Sequence, residues 1–159
     1  EDELRGMDTS ALVGHLAAWN YFQSVDTPQN KQFVANFKAY CKKNNLPDGD
    51  KRVTDDPIEA AYFGVYIWKQ AVEKAGSAEV DKVRKAVYGS KFLAPGGEIM
   101  MDAANHHTYR PVLIGEILAD GQFKVVSRSP GLVKPEPWSE FTNPEKGCDW
   151  VGHQGTYQK

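Results

Sequence analysis

Two stretches of this chain write out the start of an amphipathic helix, and together they limit what it can fold into. In Ser24-Val25-Asp26-Thr27-Pro28, Asp26 or Thr27 is a good N-cap. Pro28 then fits the first helical turn, where its missing N–H leaves no bond unmade. Phe33, Val34, Phe37, Tyr40 and Cys41 follow at helical spacing, which predicts a helix from about residue 28 to 43. In the second stretch Asp56 reads as the cap, Pro57 as the first-turn proline and Glu59 as the carboxylate three residues on. Ile58, Ala61, Tyr62, Val65, Trp68 and Val72 then form an apolar stripe running down to Gly76. A third helix is expected from about Glu79 to Tyr88, with Val80, Val83 and Val87 on one face. Stripes this wide have to bury against another layer, normally a parallel sheet. Only one candidate strand precedes them, near Trp19 to Phe22, in a run from Leu12 that turns from helical to extended character near Ala18.

The character changes after Gly89. Ala94-Pro95-Gly96-Gly97 reads as a turn, and Glu98 to Met101 alternates like a short strand. Val112 to Leu118 and Gln122 to Ser127 are strand-like runs around Asp120-Gly121, which predicts a hairpin closed by a type I′ turn. Pro130, Pro135, Pro137 and Pro144 then exclude long regular elements. The end of the chain reads as an extended tail pinned by Trp138, Phe141 and Trp150. The helices therefore outnumber the sheet available to cover them.

Composition removes several classes of function. The 159 residues are 41% hydrophobic and 25% charged, as in a globular domain, with a net charge of −2. Lys and Arg are scattered along the helices, so the basic patch that a nucleic-acid partner requires is missing. No apolar run approaches the roughly 20 residues needed to span a bilayer. Glu1-Asp2-Glu3 is the reverse of the positively charged start of a signal peptide. Cys41 and Cys148 are too few for a disulfide scaffold or a zinc site, and Cys41, in step with Phe33 and Phe37, reads as a buried free thiol.

No catalytic group stands out. Helix capping accounts for the spacing of Asp55, Asp56 and Glu59 without metal or acid–base chemistry. His106 and His107 are adjacent, so on a strand they would point to opposite faces, and no further ligand stands at metal spacing. Asn105 to Thr108 reads instead as a turn between strands. Ala94-Pro95-Gly96-Gly97 lacks the lysine and helix of a phosphate loop, and no Ser or Cys occupies a nucleophile elbow. The expectation is a protein that is not an enzyme, with no cofactor and no metal.

A resemblance adds to this. Ala17-Ala18-Trp19-Asn20-Tyr21-Phe22-Gln23-Ser24-Val25-Asp26-Thr27-Pro28 and Asp55-Asp56-Pro57-Ile58-Glu59-Ala60-Ala61-Tyr62 are similar to segments of urea-binding proteins of ABC transporters. So are Asn105-His106-His107, Arg110-Pro111-Val112-Leu113-Ile114-Gly115-Glu116-Ile117, Asp120-Gly121-Gln122-Phe123 and Cys148-Asp149-Trp150. In order and spacing these pieces resemble the type I periplasmic binding protein family from Glu1 to about Trp150. The resemblance implies an α/β fold, specifically the C-terminal fragment of a two-lobed binding protein. Its helices would pack on a mostly parallel sheet begun upstream, beside a β-hairpin and an extended tail. Residues 1–22 would form a lobe segment and inter-lobe crossover, and 23–95 the helical part of an α/β lobe. Residues 96–129 would form the hairpin region returning toward the other lobe, and 130–159 the Pro-rich tail.

The same resemblance implies a periplasmic or extracytoplasmic solute receptor for urea or short-chain amides, closing about a hinge and docking on a membrane ABC permease. Two alternatives stay open on this fold: a cytoplasmic amide sensor controlling a regulatory protein, and a branched-chain amino acid receptor. The expected ligand-binding residues are Glu1, Trp19 and Tyr21. Glu1 lies beside the strand end that contacts ligand in the family, and an ionised carboxylate only accepts hydrogen bonds, which suits amide N–H groups. Trp19 and Tyr21 lie where the family crosses between lobes, and aromatic walls with polar tips suit small planar solutes. The uncovered stripes imply a missing partner layer, either a second copy in a homodimer or more of the same protein.

Overall fold

The computed structural model describes residues 1–136. The tail anchors Trp138, Phe141 and Trp150, and Cys148 with them, lie outside the described residues.

Helix α1 runs Pro28–Lys43 with Thr27 as its cap, the Thr27 hydroxyl accepting from the Asn30 N–H at 3.0 Å. Its length matches expectation, and Lys42 and Lys43 in the last turn complement the helix dipole. Helix α2 runs Asp56–Ala75 and ends on Gly76 in the left-handed conformation. Its cap is Asp55, not Asp56: Asp55 has the extended backbone a cap needs, and its Oδ1 accepts from the Ile58 N–H at 2.9 Å. Asp56 is thereby the first helical residue, released for other contacts. Helix α3 is the short Val80–Ala86 segment, capped by Glu79.

The phase of α2 also differs from expectation. Glu59, Phe63, Ile67 and Ala71, four residues apart, are its buried face. Val65 is 63% and Trp68 55% exposed, and Tyr62 is partly covered at 37% exposed. The helix is apolar on two sides, and the side facing α3 and the neighbouring strands is the one that the described residues cover.

Strand β1 is Leu16–Trp19, ending where the sequence placed its start. Strands β2 (Lys91–Ala94), β3 (Gly97–Met101) and β4 (Thr108–Tyr109) form one antiparallel sheet beside the helices. Asn105 to His107 lie in the turn between β3 and β4, as expected, whereas Thr108, expected in that turn, already belongs to β4. Strands β5 (Leu113–Ile117) and β6 (Phe123–Arg128) form the expected hairpin and pair with β1 in the order β1-β5-β6, again antiparallel. The turn is not type I′. Leu118 accepts from the Gly121 N–H and donates to Gln122, which closes a three-residue loop with only Gly121 at positive φ. All strand pairs among the described residues are antiparallel. The mostly parallel sheet expected beside the helices is not found among the described residues, where the helices stand with antiparallel strands alone.

Two cores result. Phe63, Ile67, Ala71, Val83, Val87, Ala94 and Ile99 join α2, α3, β2 and β3. Phe22, Val25, Leu113, Ile117 and Phe123 cover one face of the β1-β5-β6 sheet, with Phe22 stacked on Phe123 at 4.5 Å. A β-bulge falls at Ile114/Gly115, and a Cβ on Gly115 would lie 2.7 Å from the Phe22 ring, so only glycine admits that stack. The chain passes from sheet to helices through residues 20–27 and returns through 110–112. Those two crossings lie side by side, joined by the Asn20 side-chain amide donating to Pro111 O at 2.8 Å.

Candidate functional site

Neighbouring residues on the outgoing crossing serve different bodies. Phe22 enters the sheet core, while Tyr21, 1% exposed, enters the helical body. Its hydroxyl donates to Asn30 Oδ1 at 2.7 Å and meets Thr54 Oγ1 at 2.8 Å. Burial pushes the Tyr21 phenol well above its ordinary pKa, so it stays protonated. Gln23 is the hub that follows. Its N–H donates to Glu1 Oε1 at 2.7 Å, its Oε1 accepts from the Thr54 N–H at 2.8 Å, and its Nε2 donates to Gln122 Oε1 at 2.9 Å. Asn30 ties the same turn by donating to the carbonyls of Gln23 and Val25.

Beside this network lies a cavity of about 310 Å³ lined by Glu1, Trp19, Tyr21, Asp55, Asp56 and the apolar Phe22, Ile117 and Phe123 among others. All three residues singled out from the sequence therefore meet in one place. Glu3 adds a fourth carboxylate, and neither Lys nor Arg is among the lining residues. Glu1 is buried, and burial pushes its carboxyl up to about 7. Burial also raises the Asp56 carboxyl, opposed chiefly by Arg110. A larger depression of about 650 Å³ also borders Glu1, but Arg5, Lys38 and Lys51 give it mixed charge.

The returning crossing carries what sequence reading missed. Arg110, buried, pairs with Asp56 Oδ1 at 2.7 Å and with Glu59 Oε2 at 2.6 Å. Glu59 is completely buried, and its second oxygen accepts from the Gly96 N–H at 3.0 Å. Burial raises its carboxyl, opposed chiefly by Arg110. Glu59 was read as part of a capping pattern, so nothing in the local sequence pointed to a partner 51 residues away.

The comparisons with known proteins agree with this architecture. Residues 1–144 match the family described as "Periplasmic binding protein domain". The chain belongs to the periplasmic binding protein family. Among its relatives, the "Leu/Ile/Val-binding protein homolog 6" of Brucella abortus is 25% identical over 74% of this chain and 28% of its own length. A Geobacillus stearothermophilus protein named "Limonene hydroxylase" is 30% identical over 82% of this chain and 23% of its own. The chain thus spans about a quarter of the length of the curated relatives it matches.

Solved periplasmic binding proteins superpose well on it. An ABC transporter solute-binding protein from Rhodopseudomonas palustris BisB5, in complex with 3,4-dihydroxybenzoic acid, gives a TM-score of 0.65 at 25% identity, over 84% of this chain and 35% of that one. A leucine-, isoleucine-, valine-, threonine- and alanine-binding protein from Brucella ovis gives 0.65 at 16% identity, over 85% and 36%, a likeness of fold alone. The α/β fragment of a type I periplasmic binding protein expected from the sequence is thereby shown. One relative carries an enzyme's name, while the family and the solved neighbours are described as binding proteins. No group of His, Cys, Asp and Glu suited to a metal occurs among the described residues.

Proposed function

We propose that this chain contributes part of the solute seat of an extracytoplasmic ABC-importer receptor, and that its solute is small and rich in N–H donors, such as urea or a short-chain amide. The observation that carries this reading is the wall of the 310 Å³ cavity, where Glu1, Glu3, Asp55 and Asp56 stand with the Trp19 indole and without a basic side chain. Carboxylates accept from N–H groups and repel carboxylate ligands, so this wall suits an amide better than a benzoate. A pocket for urea must meet nearly all of its polar groups, because each buried and unpaired one costs about 1–3 kcal/mol. Glu1 and Asp56 supply acceptors, Trp19 supplies a planar wall, and Tyr21 holds the turn behind them.

On this reading the β1-β5-β6 body and the helical body belong to opposite lobes. Solute captured between them shifts the population toward a closed form that a membrane permease recognises. A branched-chain amino acid receptor is the second reading, favoured by the Leu/Ile/Val-binding relative. The acidic wall would then take the ammonium, and the ligand carboxylate would need donors from elsewhere. Calorimetric titration of the full-length protein with urea, acetamide, leucine and 3,4-dihydroxybenzoate tests the assignment. Binding of acetamide or urea with no heat from the benzoate is expected. Tight benzoate binding would sink the reading.

A further inference from the structure

The turn Ala94-Pro95-Gly96-Gly97 lies outside the cavity wall, yet three elements converge on it. The Thr27 hydroxyl, at the start of α1, donates to Pro95 O at 2.8 Å. The Gly96 N–H donates to Glu59 of α2 at 3.0 Å. From the other body, the Arg128 guanidinium at the end of β6 donates to Gly96 O at 3.2 Å. One residue is thus held by both bodies, its N–H by the helices and its carbonyl by the sheet. Gly97 has a φ of 129°, and a Cβ there would lie 2.6 Å from Arg128 Nη2. A Cβ on Gly96 would press on Glu59 Oε1 at 3.3 Å and on the Tyr21 ring at 3.4 Å. The paired glycines leave a notch, and a guanidinium fills it.

The two holds on Gly96 differ in strength. Glu59 is completely buried and paired with Arg110, so its grip on the Gly96 N–H is permanent. Arg128 is exposed, and its bond to the carbonyl competes with water. A contact of that kind is made and broken easily, which is what a reversible join requires. Its position gives it leverage. Arg128 shares a register row with Leu113 and Trp19, so it stands at the far edge of the sheet from the cavity-lining Trp19. Two strand spacings, roughly 10 Å, separate them, and turning the bodies by roughly 30° about the β1 end of the row carries Arg128 about 5 Å. That breaks its bond to Gly96 O.

We propose that Arg128 is a clasp on closure: seated in the Gly96-Gly97 notch it holds the sheet body against the helical body, and once released it lets them part. This rests on reading the two bodies as opposite lobes. The clasp is made in an arrangement where one cavity has walls from both, Trp19 and Phe123 from the sheet and Asp55 and Asp56 from the helices, so the clasped form is the closed one. Arg128 is not among the lining residues. Losing it therefore lowers the closed population without altering the pocket, and every solute must weaken by the same factor.

Full-length protein is compared with Arg128→Ala, Gly97→Ala and the double variant. In small-angle X-ray scattering without solute, Arg128→Ala should have a larger radius of gyration than the wild type, and saturating solute should bring the two together. A merely structural arginine would not give an expansion that solute reverses. In titrations with urea, acetamide and leucine, each solute that the wild type binds should weaken about three- to tenfold in Arg128→Ala, by one common factor. Gly97→Ala puts a methyl group where Nη2 sits, so it should give the same loss, and the double variant should lose no more than either single one. Arg128→Ala removes only an exposed side chain, so it carries the test alone if the strained Gly97→Ala fails to fold. If leucine binds and the amides do not, the amide reading fails, and the clasp is judged on leucine and on the radius. An unchanged radius, or losses that differ from solute to solute, overturns the proposal.

Discussion

Glu1 shows how far a single buried carboxyl can set two behaviours against each other. Burial raises it from 4.5 to about 7, so the folded state holds its proton longer than the unfolded chain does. Between those values the unfolded chain has released the proton first, and stability should fall as pH rises through that window. Binding of an N–H donor has the opposite sign, because it needs the ionised form, and acetamide affinity should rise up to about pH 7 and then level. Glu1→Gln should flatten both profiles, measured by thermal melting and by titration. A binding profile unchanged in that variant would remove Glu1 from the site. The two adjacent aspartates make a second contrast. Asp55→Ala should lower stability by about 0.5–2 kcal/mol through loss of the cap, read by chemical denaturation. Asp56→Asn, whose residue does not cap, should change affinity first. At this scale Glu1, Trp19 and Tyr21 drew attention in the sequence as acidic and aromatic residues near a recognisable crossover, and the structure places all three on one cavity. Gln23, Thr54 and Arg110 stayed hidden, since their roles depend on partners 22, 31 and 51 residues away and on no local pattern.

Elements were legible where their signals are local. The α1 boundaries follow from Thr27, Pro28 and the aromatic spacing, and the β5–β6 hairpin follows from Asp120-Gly121. The phase of α2 was not legible, because apolar residues lie on both sides of it and periodicity alone cannot say which side meets a partner. Strand β2 escaped notice for a similar reason. Lys91-Phe92-Leu93-Ala94 is short, and what makes it a strand is the pairing with β3. Gly115 carries the test that belongs here. Alanine at this position places a methyl group 2.7 Å from the Phe22 ring, and overpacking of this kind costs typically about 1–3 kcal/mol. Gly131→Ala, whose Cβ would meet nothing within 4 Å, should be nearly neutral in the same denaturation series. Equal melting of the two variants would mean the stack yields more easily than its geometry suggests.

At the scale of the whole molecule, the dominant fact is the side of α2 that the described residues leave uncovered. Val65 and Trp68 stand exposed, with Tyr66 nearby at 41%, on a helix already apolar within. Covering each such side chain is worth about 1.5–3 kcal/mol, so these 159 residues by themselves should self-associate. Light scattering of that chain should show mass growing with concentration, and Val65→Glu with Trp68→Glu should reduce it. A monodisperse monomer at all concentrations would contradict this. The join between the two bodies has a mechanical meaning as well. On the proposed reading, the two crossings stitched side by side by the Asn20–Pro111 bond resist sliding and splaying, which stretch that bond, more than rotation about the line between them, and the Arg128 side chain, which donates to Gly96 O across the same join, must yield before the bodies turn. A residue such as Asn20 would then alter how often the jaws meet without ever touching what they hold.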